Sequence, residues 1–90
     1  MEIPKKLLKT LALIVYHQPI KQSELQNILG PKVYEHVKEL HELGLIRTRR
    51  EGKTKILTTT KRMPEYFGIS TTDKEEIRKW LIKKLKGKSK

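Results

Sequence analysis

Apolar residues at the start of the chain recur with helical spacing. Leu7, Leu8, Leu11, Ile14 and Val15 fall at i, i+1, i+4, i+7 and i+8, one face of a 3.6-residue period. This predicts a first helix over residues 3–18, with Pro4 at its first position and Lys5, Lys6 and Lys9 on the polar side. Gln18-Pro19 ends it, because the residue before proline is pushed out of the α region. Pro19-Ile20 reads as an extended step with Ile20 buried, pairing with a later hairpin. A second, shorter helix over about 22–29 carries Leu25, Ile28 and Leu29 as its stripe, and Ser23 with Gln26 fits a capping box that starts it slightly late. Gly30 turns the chain into a third helix whose inner face is Val33, Val37 and Leu40. Pro31 suits its first position and Gly44 the residue just past its end, where positive φ is wanted.

After Gly44 the pattern becomes strand-like. Leu45–Arg50 and Lys55–Thr59 read as two strands joined by Glu51-Gly52-Lys53-Thr54, with Gly52 free to take positive φ. Ile46, Ile56 and Thr58 are expected to face the body, while Arg47 and Arg49 share a strand side with Leu45. That imperfect alternation predicts an edge ribbon exposed on one side. A short turn or helix around Pro64-Glu65-Tyr66-Phe67 follows, closed by Gly68. Tyr66 and Phe67 read either as an anchor on the core or as an aromatic patch for a partner. The last helix opens with a second capping box, Thr72 and Glu75, and carries the stripe Ile77, Trp80, Leu81 and Leu85. It packs on the first helix or presents a basic face to a partner, and the end Gly87-Lys88-Ser89-Lys90 is expected to fray. Three helices followed by a hairpin predict a winged helix-turn-helix: an α+β, mostly α, domain over residues 1–70, with a basic C-terminal helix and tail over 71–90.

Charge changes the picture more than composition does. Ninety residues with 36% hydrophobic content suit one small domain with a local core. The formal net charge is +11, unevenly placed. Residues 1–46 carry +1, residues 47–55 carry +4, residues 56–77 carry −1 and residues 78–90 carry +7. Two basic elements on a neutral body point to a polyanion. The candidate DNA contacts are Arg47, Arg49, Arg50, Lys53 and Lys55 in the hairpin, and Lys83, Lys84 and Lys86 in the last helix. The third helix does not fit the same role. Opposite its buried stripe lie Glu35, Glu39 and Glu42 with Lys32 and Lys38. Three glutamates on one face would repel a duplex carrying one charge per ~1.7 Å. Glu35, Lys38, Glu39 and Glu42 are therefore expected to meet a protein partner, and DNA contact to be nonspecific.

Chemistry narrows the classes further. The five glycines are scattered as turns and caps, with no phosphate-cradling loop. There is no cysteine, the three histidines lie at 17, 36 and 41, and the spacing of His36 and His41 is poor for shared ligation. His17 sits where it can interact with the first helix dipole. No catalytic pair stands out, so the reading is a non-enzyme with no metal and no cofactor. No apolar run approaches the ~18 residues of a membrane span, and the N-terminus lacks a signal-type apolar region, which makes the cytoplasm the expected compartment.

Three blocks carry a family resemblance. TLALIVYHQPI (residues 10–20) resembles the segment TLAIIAYxQPI. LHELGLI (residues 40–46) and TTK…EYFG (residues 59–68) accompany it in order. Together, over about residues 8–70, they resemble the second winged helix of the segregation and condensation protein ScpB family. The resemblance implies a non-catalytic subunit in chromosome condensation and segregation. It implies a nucleoid-associated protein that binds the central part of a kleisin of ScpA type and, through it, an SMC ATPase. Family members carry a first winged helix that mediates dimerisation. Only one is present in this sequence, a fragment or a reduced form, and a homodimer is a possible state. Lys21 stands where the family opens its second helix with Thr or Ser, and Pro64 falls inside a block that is normally a helix start. The alternative reading is a stand-alone winged-helix DNA-binding transcription regulator.

Overall fold

In a computed structural model, which describes residues 3–71 and 73–87, the chain runs α1 (Lys5–His17), β1 (Ile20–Lys21), α2 (Gln22–Leu29), α3 (Val33–Glu42), β2 (Ile46–Glu51), β3 (Thr54–Thr59), α4 (Arg62–Tyr66) and α5 (Lys74–Gly87). The three strands form one antiparallel sheet in the order β1-β3-β2. Three helices against a hairpin, with a short strand after α1 closing the sheet, is the winged helix-turn-helix arrangement the sequence predicts. Among the described residues no helix is long and apolar enough to cross a membrane.

The core is built from the predicted stripes. Leu7, Leu8, Leu11, Ile14 and Val15 of α1 are buried, with Val33, Val37 and Leu40 of α3 against them. Ile77 and Leu81 of α5 enter the same cluster, with Trp80 and Leu85 half-buried beside it, so α5 covers the outer side of α1. Thr72 and residues 88–90, on which the last capping box and the fraying end rest, lie outside the described residues. Near the start of α5, Asp73 Oδ1 accepts from the Glu75 amide at 3.2 Å.

Several local expectations change. Helix α1 is shorter than predicted, and Pro4 is its N-cap; its carbonyl accepts from the Leu7 and Leu8 amides. The Ser23 capping box does not form: α2 begins at Gln22 after Lys21, and the Ser23 amide donates to Thr54 Oγ1 at 3.2 Å. Ile28 is not in the core but 53% exposed, because Leu25 and Leu29, one turn apart, define the inward line of α2. Pro31 and Lys32 form a turn with i→i−3 bonds rather than the first α-helical residues, so α3 starts at Val33. In β3 the body-facing residue is Leu57, fully buried and paired with Ile20; Ile56 and Thr58 take the opposite side and are only partly buried. Leu45 does not belong to β2 and shares no strand side with the arginines.

Leu45 is placed by the end of α3. The Gly44 amide bonds the His41 carbonyl at 2.9 Å and the Leu45 amide bonds the Leu40 carbonyl at 3.0 Å, with Gly44 at φ 80°. This is a Schellman closure, and its customary apolar contact is the buried pair Leu40 and Leu45. It turns the chain sharply enough for β2 to begin at Ile46.

Candidate functional site

The hairpin closes with Glu51 opposite Thr54, and Gly52 at φ 60° leads the two-residue turn. Side chains alternate along each strand, so register sorts the hairpin cations between two sides. Ile46, Thr48 and Arg50 share the body side with Thr59, Leu57 and Lys55. Arg47, Arg49 and Glu51 share the outer side with Thr58, Ile56 and Thr54. The sequence-predicted set is thus divided. Arg47 and Arg49 lie on the outer face, Arg50 and Lys55 face each other across the strands beyond the buried part of the body side, and Lys53 is in the turn. All five are exposed. Like charges placed directly opposite, as Arg50 and Lys55 are, destabilise a strand pair, which an anion between them would relieve. Arg49 Nη1 lies 3.7 Å from Glu51 Oε1, both side chains more than half exposed.

Lys83, Lys84 and Lys86 are exposed on α5, a separate element packed on α1, and the Lys84 ammonium stands 5.5 Å over the Trp80 ring. On α3, Glu35, Lys38, Glu39 and Glu42 are exposed, as the helical wheel predicts. Tyr34, 51% exposed on the same helix, donates from its hydroxyl to Gln26 Oε1 at 2.8 Å and braces the α2–α3 corner. Tyr66 and Phe67 are half-buried in an aromatic run. Their rings meet edge-on at 5.1 Å, and Phe67 lies 5.2 Å from Trp80. They join α4 to α5.

His36 takes a structural place. Thr10, almost fully buried, donates its hydroxyl proton to the Lys6 carbonyl at 3.1 Å and lies 2.8 Å from His36 Nδ1. A hydroxyl has one proton to give, so the imidazole supplies the other and ties α3 to α1. A shallow cleft where α1 meets α5 is lined by Tyr16, His17, Asp73, Lys74, Glu75 and Arg78. Arg78 lies 4.4 Å over the Tyr16 ring and 3.7 Å from Glu75. The Arg78–Tyr16 contact ties α5 to α1.

Sequence reasoning missed Lys21 and Gln18. Lys21 pairs with Ile56 on the outer side of the sheet. The signal was available: once Ile20 is assigned to the core in a strand, the next residue must face out. Gln18 Oε1 accepts from the Thr59 amide at 2.9 Å and from the Thr59 hydroxyl at 3.1 Å, closing the sheet against the end of α1. No local pattern announces a contact across 41 positions.

Comparison with known proteins places this geometry. The family model for the segregation and condensation complex subunit ScpB matches residues 1–79, which reaches into α5, beyond the span over which the sequence blocks resemble the family. The chain is similar to segregation and condensation protein B of Symbiobacterium thermophilum, 39% identical over 66 residues, covering 69% of this chain and 30% of that protein. It is 37% identical over 70 residues to the same protein of Carboxydothermus hydrogenoformans, covering 73% and 38%. It is 35% identical over 79 residues to that of Caldanaerobacter subterraneus, covering 79% and 47%. The chain thus spans between about a third and a half of the length of these relatives. Among solved structures, the PcaV transcriptional regulator of Streptomyces coelicolor superposes with a TM-score of 0.61 at 17% identity, over 99% of this chain and 78% of that one, a likeness of fold. By the family match and these identities, the chain belongs to the ScpB family of segregation and condensation complex subunits.

Proposed function

We propose that the chain works as a non-enzymatic ScpB-like subunit of an SMC–kleisin complex in chromosome condensation and segregation. It binds the kleisin through the outer face of α3 and holds duplex DNA without sequence preference through the hairpin and the basic end of α5. The observation that carries this reading is the division of charge within the winged helix. Glu35, Glu39 and Glu42 stand exposed on the helix that would read bases, while the exposed cations gather on the hairpin beside it. A recognition helix lies among phosphates and most often offers them donors, whereas here three carboxylates outnumber Lys32 and Lys38 on the outer face. A protein surface tolerates those acceptors where a duplex repels them. The subunit acts by holding two partners, with no bond made or broken, in the cytoplasm at the nucleoid.

Co-purification with the central segment of a kleisin tests the reading. The expected result is a stable complex with the native chain and loss of it with E35K/E39K/E42K. Failure to recover a kleisin segment overturns the accessory-subunit reading. Strong preference for one palindromic DNA site overturns it in favour of a transcription regulator.

A further inference from the structure

We propose that the duplex-binding surface is the outer face of the whole three-stranded sheet, with Lys21 of β1 as a phosphate contact of the same weight as Arg47 and Arg49. This rests on the nonspecific DNA contact argued above. It goes further by committing to one side of the ribbon and to a residue outside the hairpin.

Register makes the surface. Lys21 and Arg49 both pair with Ile56, from opposite sides, so Lys21, Ile56 and Arg49 form one row across β1, β3 and β2. Strands lie ~4.8 Å apart and alternate residues ~7 Å apart along a strand. The two cations of the row are therefore rooted about 10 Å from each other, with Arg47 about 7 Å further along β2. Ile56 is half-buried between them, and Thr54 and Thr58 flank it on β3. The result is a low floor of short side chains, over which the long stems of Lys and Arg can lie with their heads free. Glu51 is the acid on these strands, and it meets Arg49 at 3.7 Å in water-exposed surroundings. Such a pair contributes little and yields readily to phosphate.

Lys21 is poorly chosen for any local purpose. It is the N-cap of α2, a position that favours Ser, Thr, Asp or Asn, and its side chain makes no capping bond. A cation there also opposes the positive end of the helix dipole. The Ser23 amide bound to Thr54 Oγ1 pins the start of α2 onto β3 and holds Lys21 in its row. A residue unfavourable for the helix, locked beside two arginines on a flat outer face, is accounted for by an anionic partner. Three cations rooted about 10 Å and about 7 Å apart on one face match the closely repeated phosphates of a duplex backbone better than the scattered carboxylates of a peptide.

The test is fluorescence anisotropy of the full chain with a 20-base-pair duplex of arbitrary sequence, across a salt series. The variants are K21E, R49E and, on exposed α1 surface, K9E. K21E and R49E should each weaken binding by roughly 5- to 10-fold and lower the salt slope by about 1, while K9E stays near the native curve. Thermal melting separates this from unfolding: Glu at the N-cap aligns with the dipole, so K21E should melt no lower than the native chain. If K21E behaves like K9E while R49E weakens binding, the contact is confined to the hairpin; this inference fails and the DNA reading stands. If neither variant weakens binding, both fail. If polyglutamate competes with the duplex at equal charge concentration and K21E abolishes its binding, the occupant is an acidic peptide and the nucleic-acid assignment is overturned.

Discussion

Helix α3 and the sheet beside it are built from the same instruction, one face in and one face out, yet their outer faces carry opposite charge. On α3 the inner line Val33, Val37 and Leu40 is buried, and the outer line holds three glutamates. On the sheet the inner residues Ile20, Ile46 and Leu57 are buried, and the outer side holds Lys21, Arg47 and Arg49. The inner faces are interchangeable in kind: each fills the core and would do so for any winged helix. The outer faces are not. The element that gives the fold its usual reading surface presents three carboxylates, and the ribbon that follows it presents exposed cations. Fold likeness to a transcription regulator at 17% identity therefore says nothing about which surface is used.

The first way to break this comparison is from inside. Leu40 and Leu81 are fully buried, on α3 and α5 respectively. Leu40→Ala and Leu81→Ala should each destabilise the chain by about 2–5 kcal/mol, read as a loss of ~10 °C or more in melting temperature. Equal losses mean that α5 is as much a part of the core as α3. If Leu81→Ala leaves melting unchanged, α5 is an appendage and its basic face is free to leave.

The junction between the two regions gives the next effect. Gly44 must hold φ at 80° to end α3 and start β2, and a Cβ there would meet Arg62 Cδ at 3.1 Å. Arg62 is exposed and its side-chain end can move, so the backbone strain dominates. Gly44→Ala should cost roughly 1–2 kcal/mol in thermal or urea unfolding. A neutral result would mean the closure relaxes without disturbing the register of β2.

These stabilising positions explain which parts were legible from the residues alone. The α1 and α3 stripes, Gly44, Gly52 and Gly68 were readable because period and positive φ are local properties. The side of β3 was not. Ile56 and Leu57 are adjacent apolar residues in one strand, and only the pairing of Leu57 with Ile20 decides which faces in. The missing cap at Ser23 has the same cause, a preference overridden by a bond to Thr54 from another element. The three family blocks turn out to hold one another. Gln18 of the first takes the Thr59 amide of the third, and the Thr60 hydroxyl donates to the Gly44 carbonyl of the second at 2.7 Å. These bonds give all three blocks a part in assembling the fold. The candidate surfaces, Lys21, Arg47, Arg49 and the glutamates of α3, lie outside those blocks or at their solvent edge, so they had to be read from charge and register.

The sharpest comparison of the two outer faces costs the fold least. E35K/E39K/E42K replaces exposed side chains; E39K and E42K should each alter stability by no more than about 0.5 kcal/mol, and E35K, in the first turn of α3, should cost about 1 kcal/mol. Its effect on duplex binding depends on where α3 stands. If the helix lay in a groove, turning three acids into three bases would add contacts, each steepening the log–log salt dependence by about 0.9. If the duplex lies on the sheet, the new lysines make no phosphate contact, and their attraction is weakened by screening with a Debye length of ~8 Å at physiological salt. The expected outcome is a salt slope unchanged within about 1, with kleisin capture lost in the same variant. A slope steeper by 2 or more would put α3 back against the nucleic acid, and the charge inversion that separates these two regions would then have to be explained as a barrier to nonspecific binding rather than as a second docking face.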